Sequence, residues 1–325
     1  MSTRPKITLA VLACAAALAA APAAAEDWNM PTGYAPGNFH TVNNTAFAAA
    51  VTKAAGGKLT IKVHPGASLY KMPEIKRAVQ QGQVPIGETL MVTLVNENPL
   101  YAIDGLPFLA DSYDAARKLW KIQRPYVEKL LDAQGIRLLY AVPWPPQGLY
   151  TPKAIDSVAD MAGLNWRAYD KQTARMGEIF KARPVTIQAA EVAQALATGR
   201  INSLVSSAQS GVDYKVWESI KHFTDVQAWL PKNMVIVNKA AFDRLEPAVR
   251  SIVLAEAAKA EEAGWASSMK TAESTKETLK QNGVAVVAPG AKLKSELAAI
   301  GAQMLDEWLA TAGPDSKAVV EAFRK

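Results

Sequence analysis

One αβ unit is written twice in this chain, more than a hundred residues apart, and that echo constrains the fold more than any single element. Glu74-Ile75-Lys76-Arg77-Ala78-Val79-Gln80-Gln81-Gly82-Gln83-Val84 matches Glu191-Val192-Ala193-Gln194-Ala195-Leu196-Ala197-Thr198-Gly199-Arg200-Ile201. Both read E-(I/V)-x-x-A-(V/L)-x-x-G-x-(V/I): a helix stopped by glycine, then a strand. Any αβ unit shares some of this pattern, but two copies so far apart suggest two lobes of similar build. Ligands of open α/β sheets gather at the carboxyl ends of strands. The segments that follow the two copies, Ile86–Met91 and Ser203–Gln209, are therefore expected to face one cleft.

The rest of the chain keeps the same alternation. Leu59–Val63 alternates apolar and polar as a strand does, and Ile136–Val142, Val185–Ile187, Ile201–Val205, Met234–Val237 and Val284–Val287 are also strand-like. Between them the periodicity predicts helices over Val42–Ala55, Tyr113–Ala133 and Thr173–Ala182. Glu246-Pro247 opens the longest helical pattern, which runs toward Asn282-Gly283. Alternation of this kind predicts an α/β protein.

The N-terminus reads as a leader for export. Arg4 and Lys6 precede an apolar run from Ile7 to Ala21, Pro22 breaks it, and Ala23-Ala24-Ala25 supplies small residues before Glu26. A retained membrane helix needs about 20 consecutive apolar residues, and this run is shorter. Val11-Leu12-Ala13-Cys14 loosely resembles a lipobox, but the apolar run continues well past Cys14. Cleavage after Ala25 leaves 300 residues (325 less 25), lowers the formal charge from +6 to +4 and removes the only cysteine. A fold in an oxidising compartment then rests on its core alone, and at this length two domains are expected.

Motifs of catalysis are missing from the sequence. It has no G-x-G-x-x-G after a strand, no P-loop and no G-x-S-x-G elbow. His40, His64 and His222 lack the spacing of zinc ligands, and no basic, aromatic-interleaved patch recommends nucleic acid. No enzyme activity, cofactor or metal is expected. Some residues nevertheless stand out. Ala141–Gly148 leaves a strand into a proline-fixed turn bearing Trp144, and Arg167 sits in a strand-like segment between Trp166 and Tyr169. An arginine in a strand more often serves a sheet face or an ion pair than a ligand, yet its planar fork is the side chain best matched to a carboxylate. Ser206-Ser207-Ala208-Gln209 offers hydroxyl and amide donors, and reads equally as a serine-capped helix start.

These segments are collinear with a known family. Trp28–Tyr34 and His40–Ala55 resemble the opening strand and helix of the substrate-binding proteins of TRAP (tripartite ATP-independent periplasmic) transporters, dicarboxylate-binding-protein-like. Ile61–Ser68, Glu74–Gly82 and Leu106-Pro107-Phe108-Leu109 resemble the stretches that follow. The most specific match is Ile155–Arg167, which resembles the family's I-x-S-x-x-D-(L/M)-x-G-(L/M)-(K)-x-R, and Glu191–Gly199 looks like its E-V-x-x-A-L-Q-T-G. The resemblance implies a two-lobed periplasmic binding protein (type II-like) with a long helix bridging both lobes. It implies that Arg167 binds a solute carboxylate, and that the closed receptor delivers solute to the membrane subunits of a TRAP permease in the periplasm. On this pattern residues 26–147 and about 234–272 form lobe I, and 148–233 and about 273–325 form lobe II.

Two departures bear on the solute. Ser206 stands where the family commonly has a pocket Asn, and a second family Arg falls at about Gln147 or Gly148. Two polar contacts are thus shortened or lost, while Trp144 and Trp229 add aromatic surface, unless both are core residues. The expected solute is a small monocarboxylate with an apolar or aromatic body; a sugar acid or keto acid is the alternative, and an exported enzyme acting on carboxylates is the more distant one. The expected ligand-binding set is Arg167, Trp144, Gln147, Ser206, Phe39, His40, Glu88 and Trp229. Exported protein should begin at Glu26 by intact mass, and a lipid on Cys14 or an uncleaved N-terminus would refute that reading.

Overall fold

The computed structural model describes residues 25–325. The expected leader and Cys14 lie outside the described residues. Among those residues the chain forms eleven strands, and their order in the chain shows how it moves between two lobes. β1 (Glu26–Pro31), β2 (Leu59–His64), β3 (Ile86–Leu90) and β4 (Ile136–Pro143) come first. β5 (Gln147–Thr151), β6 (Asn165–Ala168), β7 (Arg183–Thr186), β8 (Ser203–Ser207) and β9 (His222–Thr224) follow, then β10 (Lys232–Asn238) and β11 (Ala285–Val287). β1 and β2 pair in parallel, and β10 lies antiparallel between β3 and β4, in the first lobe. The second lobe is one six-stranded sheet, in the order β11-β9-β5-β8-β6-β7. The chain therefore crosses between lobes at residues 144–146, crosses back at 225–231, and crosses again through a helix.

Period-two alternation builds the second lobe. Leu149 and Val205 enter one core with Trp166, while their neighbours Tyr150 and Leu204 enter another on the opposite face of the sheet. The echo is realised as expected: Gly82 and Gly199 both take φ near +70°, each ending a helix before a strand. That left-handed turn suits glycine because it has no Cβ to clash.

The helix Pro247–Gln281 has 35 residues, or about 52 Å at 1.5 Å per residue. Proline occupies its first turn, where no intrahelical N–H is needed. Gly283, at φ +80°, ends it, with Val284 N–H returning to the Leu279 carbonyl at 3.0 Å. Trp265 lies in the first-lobe core and donates its indole N–H to the Ala141 carbonyl at 3.1 Å, whereas Leu279 lies in the second lobe. The helix thus braces both lobes. Among the described residues no helix is long and apolar enough to cross a membrane.

The C-terminal segment divides where the sequence boundaries at about 273–325 had kept it in lobe II. Leu293, Leu297 and Met304 join the second lobe, but Leu305, Trp308, Val319 and Val320 join the first-lobe core. An amphipathic helix announces a buried face without announcing what covers it, so the final return of the chain was not readable from periodicity.

Gly264 marks a close approach of the long helix to the first lobe. A Cβ there would stand 2.3 Å from Val142 Cγ2 and 3.0 Å from Asn43 Nδ2. Overpacking costs about 1–3 kcal/mol, against a gain of about 1 kcal/mol from alanine's helix propensity. Gly264→Ala is expected to lower the melting temperature by a few degrees, with part of the loss recovered in the double variant Val142→Ala, Gly264→Ala. An unchanged melt would show that the contact yields freely.

Candidate functional site

Arg167 is carried on β6, between β7 and β8, and only 4% of it is exposed. Its Nε donates to the Ile187 carbonyl at 2.9 Å, and its guanidinium carbon lies 4.7 Å from the centre of the Tyr169 ring. Among the described residues no carboxylate forms a salt bridge with it. Asp170, three residues on, instead caps the helix Lys171–Ile179, accepting from Thr173 N at 2.7 Å. Burial pushes its carboxyl up to about 6 despite those hydrogen bonds and the nearby Arg167.

Arg167 lines a cavity between the lobes. Trp144, Gln147 and Ser206 line it too, as do Tyr34, Tyr169 and Tyr214, which sequence reasoning did not single out. Leu90 and Ser206, from the strands that follow the two echoed helices, meet here. Tyr34 and Tyr169 lie at the ends of segments already notable in the sequence, but Tyr214 had no such signal. Burial raises the phenol of Tyr34 well above the ordinary tyrosine range and raises that of Tyr214 too, Arg167 opposing the rise in both, so both stay neutral.

Trp144 is positioned from three sides. Its backbone N–H donates to the Pro231 carbonyl at 2.8 Å and its Nε1 to Asn233 Oδ1 at 3.0 Å. Tyr34, Phe39 and His40 pack on its ring, with centroids at 5.0, 5.4 and 4.6 Å. Phe39 and His40 therefore stand behind Trp144 and do not line the cavity. Burial drives the His40 imidazole well below its usual range, so it is neutral.

Glu88 is also one layer back. It accepts from the Thr32 hydroxyl and from Asn233 Nδ2, the latter at 3.0 Å, and burial raises its carboxyl. Leu90, two residues along β3, takes the cavity position. Trp229 is 2% exposed in the second-lobe core and does not line the cavity. Its backbone carbonyl accepts from Gln147 N at 3.0 Å. Ser206 lies on β8 opposite Gly148, and the next residue, Ser207, caps the helix Ala208–Asp213.

Asn233 joins these parts, and nothing in the sequence pointed to it. Its oxygen accepts from both Trp144 Nε1 and, at 3.2 Å, the Tyr34 hydroxyl, while its nitrogen donates to Glu88. Two aromatic walls of the cavity thus share one acceptor.

Comparison with known proteins agrees with this architecture. The model of the DctP family, bacterial extracellular solute-binding protein family 7, matches residues 35–311. The chain is similar to DctP6, a Bordetella pertussis extracytoplasmic solute receptor binding pyroglutamic acid. The two are 51% identical with a TM-score of 0.90, covering 92% of this chain and 99% of that one. A marine metagenome TRAP solute-binding protein, specific for pyroglutamate and solved with co-purified pyroglutamate, is 42% identical. Its TM-score is 0.89, with 93% of this chain and 99% of that one covered. A solute-binding protein of Albidiferax ferrireducens is 24% identical over 221 residues, which span 66% of this chain and 65% of that relative, just under two thirds of its length.

Removing the Asn233 amide leaves Trp144 Nε1, the Tyr34 hydroxyl and Glu88 short of partners in a buried site. Asn233→Ala is expected to cost roughly 2–4 kcal/mol, since each stranded polar group costs about 1–3 kcal/mol. Ser206→Ala, at a hydroxyl that makes no hydrogen bond among the described residues, should change stability by less than about 0.5 kcal/mol. Chemical denaturation of the two variants side by side checks both; equal losses would refute the linking role of Asn233.

Proposed function

This chain belongs to the bacterial extracellular solute-binding proteins of family 7, and from that premise we propose that it is a receptor for pyroglutamate or a closely related small cyclic monocarboxylate. The observation that carries the reading is the buried guanidinium of Arg167, with which no carboxylate among the described residues forms a salt bridge. A charge taken out of water costs several kcal/mol unless it is paired, and a solute carboxylate is the natural partner. The planar fork offers two parallel N–H groups to it, a contact that is both strong and directional. Nε is held by the Ile187 carbonyl, so the solute contact falls to the terminal nitrogens, beside the Tyr214 phenol.

The walls support a compact, largely apolar body beside that carboxylate. Tyr34, Trp144 and Tyr169 present ring surface, and Met72, Leu90 and Pro231 add apolar wall beside the polar groups of Gln147, Gln188, Ser206 and Ser210. Similarity to two receptors that bind pyroglutamate, at 51% and 42% identity over nearly the whole chain, supports the same solute class. Closure of the two lobes screens the ion pair from water and strengthens it, because the closed form binds solute better than the open one. In this reading the loaded receptor hands its solute to the membrane subunits of a TRAP permease.

Calorimetric titration tests the reading with pyroglutamate and, for contrast, glucuronate. The wild-type protein is expected to bind the first and not the second. Arg167→Ala should cost about 2–5 kcal/mol of binding, or roughly 30-fold to several-thousand-fold in affinity. Arg167→Lys should recover only part of this, because it keeps the charge and loses the fork. Near wild-type affinity in Arg167→Ala, or a preference for glucuronate, would overturn the assignment.

A further inference from the structure

Gln147 is held on every side but one. Its backbone N–H donates to the Trp229 carbonyl at 3.0 Å, and its own carbonyl accepts from Ala228 N at 2.8 Å. The residue is 3% exposed, and its side-chain Nε2 donates to the Pro145 carbonyl at 2.8 Å. A carbonyl can only accept, so this contact decides the orientation of the amide: nitrogen toward Pro145, oxygen away. Flipping it would set two oxygens against each other. Pro145 and Pro146, with φ fixed by their rings, stiffen the turn that carries the acceptor.

The other end of that amide meets no donor among the described residues. Among the described residues nothing hydrogen-bonds to Gln147 Oε1, and it is not among the sealed, partnerless buried atoms. Gln147 lines the same cavity as Arg167, so its oxygen has the cavity as its open side. The Ser206 hydroxyl lines that cavity from the neighbouring strand, where Gly148 pairs with Ser206 and Gln147 with Ser207. The cavity therefore combines a cation for a carboxylate, an obligate acceptor, and a hydroxyl able to donate.

We propose that Gln147 is a specificity-determining residue which selects acids carrying an N–H, its Oε1 accepting the ring N–H of a lactam acid while the Ser206 hydroxyl donates to the adjacent ring carbonyl. This rests on the pyroglutamate reading and names the atoms of the solute that are recognised. An acid of the same shape with oxygen in place of the N–H brings an acceptor against an acceptor that cannot turn. Both are then buried unpaired, the situation that gives hydrogen-bonding sites their sharpest discrimination.

Two probes test this: pyroglutamate and its lactone isostere, 5-oxotetrahydrofuran-2-carboxylate, titrated calorimetrically into wild-type protein and Gln147→Met. The wild type is expected to bind the lactone at least roughly tenfold more weakly, and Gln147→Met to shrink that ratio below about threefold by losing affinity for pyroglutamate. Equal wild-type affinity for the two probes overturns the proposal and leaves the pyroglutamate reading standing. Binding of neither probe overturns both. An undiminished ratio in Gln147→Met also overturns it, because another group must then accept the N–H. Should Gln147→Met fail to fold, Gln147→Asn, which keeps the amide but withdraws it by one methylene, is expected to show the same narrowing of the ratio.

Discussion

A guanidinium removed from water and left without a salt-bridging carboxylate among the described residues is the constraint around which the cleft is arranged. Arg167 is 4% exposed, and its neighbours include the Ile187 carbonyl, the face of Tyr169 and the Tyr214 phenol. None of these carries a neutralising charge. Its nearest acidic neighbour in sequence, Asp170, is committed to capping a helix. Had that carboxylate turned toward Arg167, the fold would have been satisfied internally and a solute anion would compete with it. Leaving the cation unpaired costs stability that the surrounding core must offset.

That cost is contained by the connections between the lobes. Residues 144–146 and 225–231 run side by side, joined by Trp144 N–H to the Pro231 carbonyl, Gln147 N–H to the Trp229 carbonyl and Ala228 N–H to the Gln147 carbonyl. Just beyond, Asp104 accepts from Lys232 N at 2.8 Å and lies 3.6 Å from its ammonium group, both side chains fully buried. Burial pushes the Asp104 carboxyl up to about 6, against the pull of Lys232, and pushes the Lys232 ammonium down. The crossing segments are thus pinned to the first lobe by a directional contact, and two cavity residues, Trp144 and Gln147, sit on the pinned stretch.

Much of the fold was legible because period and punctuation are local properties. The alternation in Leu59–Val63, the glycine stops at Gly82 and Gly199, and the long run after Glu246-Pro247 each follow from backbone geometry that neighbouring residues impose. The same holds for Ser207, whose role as a helix cap depends only on the residues just after it. The site was legible to the extent that its residues interrupt such patterns: Arg167 within a strand, Trp144 and Gln147 at a proline-rich turn.

Tertiary structure decided the rest, for the reason that burial and partnership are set by residues far apart in the chain. Asn233 belongs to an ordinary strand, and only packing brings it between Glu88, Tyr34 and Trp144. Trp144 and Trp229 are alike as aromatic residues near a chain crossing, yet one walls the cavity and the other fills a core. Phe39, His40 and Glu88 stand one layer behind it because Trp144 and Leu90 occupy the positions in front. The sequence by itself determined two αβ lobes, the bracing helix and an arginine suited to a carboxylate. Which side chains surround that arginine, and which way the Gln147 amide faces, depended on hydrogen-bond partners that only the folded chain brings together.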